Sequence, residues 1–220
     1  MAGSDGIGFW RSNGLSLVLL ALMIASLLGQ IMTGHSVYND ELRELGGPAL
    51  SLGEYLRSGH FVSATFENWE SEFLQMAMYV LLTVTLRQRG SAESRPMDLA
   101  QEGERIDPGT TPWPIRRGGI WKTLYGHSLV IAFGILFVLS FLVHLMGSWR
   151  REVAERLLRG ERAVSLSSYA TDAGFWFESL QNWQSEFLAV TALVLLTIWL
   201  RQKDSPQSKP LAAPHSQTGT

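Results

Sequence analysis

Phe66-Glu67-Asn68-Trp69-Glu70-Ser71-Glu72-Phe73-Leu74 in the first half of the chain is nearly matched by Leu180-Gln181-Asn182-Trp183-Gln184-Ser185-Glu186-Phe187-Leu188 in the second. Each stretch runs into an apolar segment, Val80-Leu81-Leu82-Thr83 or Val194-Leu195-Leu196-Thr197. Each then stops at the same tripeptide, Leu86-Arg87-Gln88 or Leu200-Arg201-Gln202. Working outward, Leu50-Ser51-Leu52 and Tyr55 correspond to Val164-Ser165-Leu166 and Tyr169, and Phe61 to Phe175, all at a constant offset of 114. An ungapped register from about Leu15/Leu129 to Ser94/Ser208 reads as a duplication, and the duplicated unit sets the expected fold.

Composition sets outer limits. Of 220 residues, 46% are hydrophobic and 17% charged, and the mean hydropathy of +0.08 resembles that of a soluble domain. The apolar residues, however, gather into four blocks separated by charged connections containing Gly, Ser and Pro. A net charge of -2 gives no reason to expect nucleic acid as a partner. Zero cysteines exclude disulfides, thiolate metal sites and thiol nucleophiles.

The first block, Leu15 to Met32, follows an interfacial Phe9-Trp10-Arg11 lead-in and holds no charged residue. As a helix it is about 27 Å long, close to the roughly 30 Å hydrocarbon thickness of a bilayer. A signal peptide is the competing reading, but Thr33-Gly34-His35 offers no small-residue cleavage pattern. The third block, Ser128 to Met146, is a second expected span with His144 as its one ionisable group. The second and fourth blocks, Phe73 to Leu86 and Phe187 to Leu200, are shorter. Fourteen residues reach only about 21 Å, so crossing requires the helix to start one or two turns earlier, drawing Trp69 and Glu72 into the boundary.

Between the blocks, Tyr38, Leu42 and Leu45 predict a short amphipathic helix broken at Gly46-Gly47-Pro48. Ser51-Leu52-Gly53-Glu54 predicts a capping box opening a second one, ended by Gly59. Ser148 is expected to cap a separate helix over Trp149–Arg159 that Gly160 stops. The expected architecture is all-α: an integral membrane four-helix bundle of two parallel two-helix repeats, with short amphipathic interfacial helices. Its parts are residues 1–89 (first two-span repeat), 90–119 (flexible linker), 120–203 (second two-span repeat) and 204–220 (disordered tail). Two crossings per half return the chain to one side, so the halves share one orientation, as in parallel-repeat transporters. Eleven of the 18 Lys and Arg fall on the side of the termini, which points to cytoplasmic termini.

Asn68 and Glu72 are four apart on a helix, Gln75 continues their face, and Asn182 and Glu186 repeat the pair. These five residues form a candidate ion or proton site, since a carboxylate drawn toward lipid is costly to charge. The competing reading makes Asn68 and Asn182 N-caps, with Glu70, Glu72 and Glu186 in first turns and Trp69 and Trp183 as belt aromatics. Gln30 and His144 align across the repeats as intramembrane polar residues suited to interhelical hydrogen bonds. His35 and His60 lack metal-ligand spacing, and Gly-x-Ser-x-Gly, Walker A and His-Glu-x-x-His motifs are absent. No catalytic residue, metal or cofactor is expected.

Phe9-Trp10-Arg11-Ser12-Asn13-Gly14-Leu15-Ser16, Leu50-Ser51-Leu52-Gly53-Glu54-Tyr55-Leu56 and the two Asn-Trp-x-Ser-Glu-Phe copies give the chain a further reading. It resembles an uncharacterised family of small bacterial membrane proteins defined as a domain of unknown function. The resemblance covers most of both halves and implies a bacterial inner-membrane location. It implies no activity, substrate or site residue. The expected function is that of a non-enzymatic envelope or scaffold protein in contact with the lipid bilayer, associating with itself or with other membrane proteins. The alternative is a small proton- or cation-coupled transporter or channel using Glu72 and Glu186.

Overall fold

The computed structural model describes residues 8–98 and 106–219. The middle of the expected linker, 99–105, and the last residue of the expected tail lie outside the described residues. Among the described residues the chain is all-helical, with eight helices and no strand. They are α1 (Phe9–Glu44), α2 (Leu52–Tyr55), α3 (Gly59–Thr85), α4 (Trp113–Arg117), α5 (Gly119–Gly126), α6 (Ser128–Leu158), α7 (Leu166–Tyr169) and α8 (Ala173–Trp199). Among them α1 and α6 are long and apolar enough to cross a membrane. The N-terminal halves of α3 and α8 carry Glu67, Asn68, Glu70 and Glu72 or Glu178, Asn182 and Glu186, which dilute their apolar ends.

Several boundaries differ from the expected ones. The apolar Leu15–Met32 block and the amphipathic Tyr38–Leu45 segment are one helix, because a single Gly34 costs a helix only about 1 kcal/mol. Packing of Tyr38 and Leu42 stabilises the continuation. Likewise Ser148 caps nothing: α6 runs through it, and its hydroxyl is buried 2.6 Å from that of Ser63. Gly59 opens α3 rather than ending α2. The start of α3 at Gly59 and of α8 at Ala173 also removes Asn68 and Asn182 from any N-cap position. The capping box of α2 is present, with the Ser51 N–H donating to Glu54 Oε2 at 2.8 Å.

The chain divides into two compact units. The first lies within Met1–Ser63 and Met146–Leu166. Its apolar core is Tyr38, Leu42 and Tyr55, with Leu50 and Phe61 packed against them. The Asn39 carboxamide holds the Leu50 backbone on both sides, donating to its carbonyl at 3.0 Å and accepting from its N–H at 2.7 Å. His60, in the first turn of α3 and well before the apolar segment, stacks on Tyr38 at 4.5 Å. Helices α1 and α6 end alike: Gly46 and Gly160 sit at φ +74° and +75°. The next residue's N–H returns to Leu42 O at 2.7 Å or Arg156 O at 2.8 Å. This is the Schellman closure, which needs a residue without a Cβ at the left-handed position.

Within the same unit, α3 and α6 cross at near-contact backbone distance. A Cβ on Gly59 would lie 2.5 Å from both Gly147 O and Arg151 N, and one on Gly147 would lie 2.7 Å from Ser63 N. Small residues on both helices let the Ser63 and Ser148 hydroxyls meet there.

The second unit lies within Ala64–Leu145 and Ser167–Thr220. Asp172 caps α8 by accepting from Gly174 N at 2.8 Å. Phe175 is buried against Tyr169, Phe141 and His144, with ring centroids 5.7, 5.8 and 5.0 Å away. After Leu200 the chain proceeds in turns, where Lys209 is buried and donates to the carbonyls of Gly90, His215 (3.0 Å) and Gln217 (2.9 Å). An ammonium has three protons, and these carbonyls satisfy them.

Candidate functional site: a buried carboxylate–imidazole cluster

In the second unit, α3, α6 and α8 bring together four ionisable side chains, of which Glu70 and His144 are out of reach of water while Glu67 is half-buried and Glu178 stands at the exposed edge. Glu70 and His144 are both 0% exposed, and Glu70 Oε2 lies 3.1 Å from His144 Nδ1. The other oxygen of Glu70 accepts from the indole N–H of Trp183 at 3.3 Å. Glu67, one turn before Glu70 on α3, places Oε2 4.0 Å from His144 Nε2, while its Oε1 accepts from the Asn182 carboxamide. Glu178, one turn before Asn182 on α8, completes a group in which one atom each of Glu67, His144 and Glu178 lies within 4.8 Å of the others.

The local reason for this arrangement is helical spacing. Glu67 and Glu70 are three apart and Glu178 and Asn182 four apart, so each pair stands on one helix face. His144 projects from α6, and the Phe175 ring packs against it at a tilt of 38°. Burying a carboxylate costs several kcal/mol unless hydrogen bonds satisfy its lone pairs, and Trp183 and Asn182 donate to the two carboxylates here. One atom is left over. His144 Nε2 is buried and has no hydrogen-bond partner. The Glu70 carboxylate beside Nδ1 favours the tautomer with the proton on Nδ1, which turns a lone pair at Nε2 toward Glu67.

The residues singled out from sequence are distributed unevenly. Asn182 and His144 belong to this cluster. Gln75 is buried and donates to the Glu186 carbonyl at 2.6 Å, and the Glu186 carboxylate experiences Glu72 as a like charge. Asn68 and Glu72 are exposed, with Asn68 donating back to Ala64 O at 2.8 Å within its own helix. Gln30 lies half-buried on α1.

Glu67, Glu70 and Glu178 were missed, although a signal was present. At the 114-residue offset, Glu67 and Glu70 correspond to Gln181 and Gln184, and His144 to Gln30. Each of these three ionisable groups thus has a glutamine at the position 114 residues away, and the three ionisable groups meet at one place in the fold.

The family described as a domain of unknown function (DUF6766) matches residues 7–220. The chain belongs to this family. Every residue of the cluster lies inside the matched stretch. Neither a curated protein nor a solved structure matches the chain.

Proposed function

We propose that this is a four-span membrane protein made of two parallel two-span repeats, seated in a bacterial inner membrane with both termini cytoplasmic. In this reading it serves as a non-enzymatic scaffold that associates with itself or with other membrane proteins. The observation carrying the reading is the state of α1: no residue of its 18-residue apolar window is buried within the chain. An apolar helix of that length without intramolecular cover demands lipid or another helix around it. Support for the doubling comes from bounds that differ by the same 114 residues in three pairs: α2 and α7, α3 and α8, and the ends of α1 and α6. The short apolar ends of α3 and α8 cross by tilting or by local thinning of the bilayer.

A chain without cysteine allows a clean topology test. Ser58→Cys should react with an impermeant maleimide added outside intact cells, and Ser205→Cys only after lysis. Extraction of the chain by alkaline carbonate, or equal labelling at both positions, contradicts the topology. Leu19→Cys, on the uncovered face of α1, should yield disulfide or crosslinked adducts with a second copy or another membrane protein. A chain that stays monomeric at native abundance contradicts the scaffold role.

The like-charge approach of Glu72 to Glu186 supports a second reading, proton- or cation-coupled transport through paired carboxylates. Under it, Glu72→Gln with Glu186→Gln abolishes pH-dependent ion flux in liposomes. Unchanged flux, or none in the unmodified protein, removes it.

A further inference from the structure

We infer that Glu67, His144 and Glu178 form a binding site for a divalent first-row transition-metal cation of the Zn2+ class. Four observations converge. The three candidate ligand atoms lie within 4.8 Å of one another, a spread that small rotations contract around one ion with bonds near 2.0–2.2 Å. His144 Nε2 is fully buried, lacks a hydrogen-bond partner and stands 4.0 Å from Glu67 Oε2, too far for a hydrogen bond. A buried nitrogen without a partner costs about 1–3 kcal/mol, and metal coordination removes that penalty.

The surroundings repeat the pattern that supports metal-bound histidines. Glu70 occupies Nδ1 at 3.1 Å and is itself held by Trp183, so the imidazole orientation and tautomer are set from behind. Asn182 occupies Glu67 Oε1 and leaves Oε2 free to ligate. The fourth observation is the replacement of Glu67, Glu70 and His144 by Gln181, Gln184 and Gln30 at the 114-residue offset. The positions 114 residues away thus offer amides where this cluster offers two carboxylates and an imidazole, so the equivalent set lacks the groups that ligate a cation.

One imidazole and two carboxylates suit Zn2+, Mn2+ or Fe2+. They do not suit Cu(I), which prefers sulfur, or Ca2+ and Mg2+, which prefer oxygen throughout. Three protein ligands leave a coordination position for water. The site lies wholly within the second compact unit, and the inference stands independently of how the chain is oriented in a membrane.

The test uses the full-length protein in detergent micelles, stripped with chelator and titrated calorimetrically with Zn2+, then examined with Co2+ as a spectroscopic probe. Expected are one Zn2+ per chain and visible Co2+ ligand-field bands displaced by Zn2+. Glu67→Gln combined with Glu178→Gln should weaken binding at least about 100-fold, while Glu70→Gln, acting only through His144, should weaken it about 10- to 100-fold. Glu72→Gln should bind like the unmodified protein. Absence of stoichiometric Zn2+, wild-type affinity in the Glu67/Glu178 double variant, or equal loss in Glu72→Gln overturns the inference. His144→Gln is a second check: a folded, helical variant that still binds Zn2+ overturns it, and loss of the Co2+ bands supports it.

Discussion

Replacing Gly59 by Ala adds one methyl group, and its effect follows from what that methyl meets. The new Cβ would lie 2.5 Å from Gly147 O and from Arg151 N, with Arg150 C at 3.0 Å. All three are backbone atoms of α6, so no side chain can rotate away and the helices must separate locally. Overpacking of this kind costs about 1–3 kcal/mol. Separation also stretches the buried Ser63–Ser148 hydrogen bond of 2.6 Å, worth about 1 kcal/mol more. The expected destabilisation is therefore about 2–4 kcal/mol, and Gly147→Ala, with its Cβ 2.7 Å from Ser63 N, should behave alike. Gly29 and Gly134 also lie inside helices, yet a Cβ there meets nothing within 4 Å. The same substitution at those positions should stabilise by up to about 1 kcal/mol through helix propensity. Equilibrium unfolding of the micelle-bound protein, followed by helical circular dichroism in increasing sodium dodecyl sulfate, measures all four. Tolerance of Gly59→Ala, or equal loss in Gly29→Ala, would refute the close-crossing argument.

His144→Leu should destabilise by about 3–5 kcal/mol, because it strands the Glu70 carboxylate in a dry interior with Trp183 as its remaining partner. Glu70→Gln added to His144→Gln, which copies the amides at Gln184 and Gln30, should recover much of that loss; a double-mutant unfolding cycle checks the coupling. Asn39→Leu should cost about 1–3 kcal/mol by orphaning the Leu50 N–H, while the Leu50 carbonyl keeps His35 Nε2 at 2.7 Å, with faster proteolytic cleavage between Gly46 and Ser58 as the readout. His60 is pushed down to about 4, chiefly by burial and then by the Arg151 guanidinium, with Glu155 opposing. The folded chain thus resists protonation there, and unfolded chains take the proton first below the ordinary value of about 6.5. Stability from this group is intact above pH 6.5 and falls as pH drops toward 4. His60→Phe, which keeps the ring on Tyr38, should flatten the decline in pH-dependent unfolding midpoints; an unchanged decline rejects the assignment.

Much was decided locally and was therefore legible in the residues themselves. Apolar runs without charge identify α1 and α6 as helices able to cross a membrane, since length and side-chain hydropathy need no tertiary partner. The Ser51–Glu54 capping box and the Gly46 and Gly160 stops are equally short-range. Membership of a family defined as a domain of unknown function was also legible, and the family matches residues 7–220. Helix continuity was not legible, because whether Gly34 or Ser148 interrupts a helix depends on what packs beyond it: Tyr38 and Leu42 in one case, Ser63 in the other.

The same limit governs the candidate site. Glu70 and Glu72 are two residues apart, about 200° around a helix, so if one faces the interior the other faces out. Periodicity shows that they differ but not which is inside. The choice falls to packing, in which Trp183 and His144 reach Glu70 and leave Glu72 exposed. Sequence alone established the helical, apolar character of this chain, because those properties reside in each segment. Only the tertiary structure joined Glu67, His144 and Glu178, because residues 111 positions apart become neighbours only when three helices pack together.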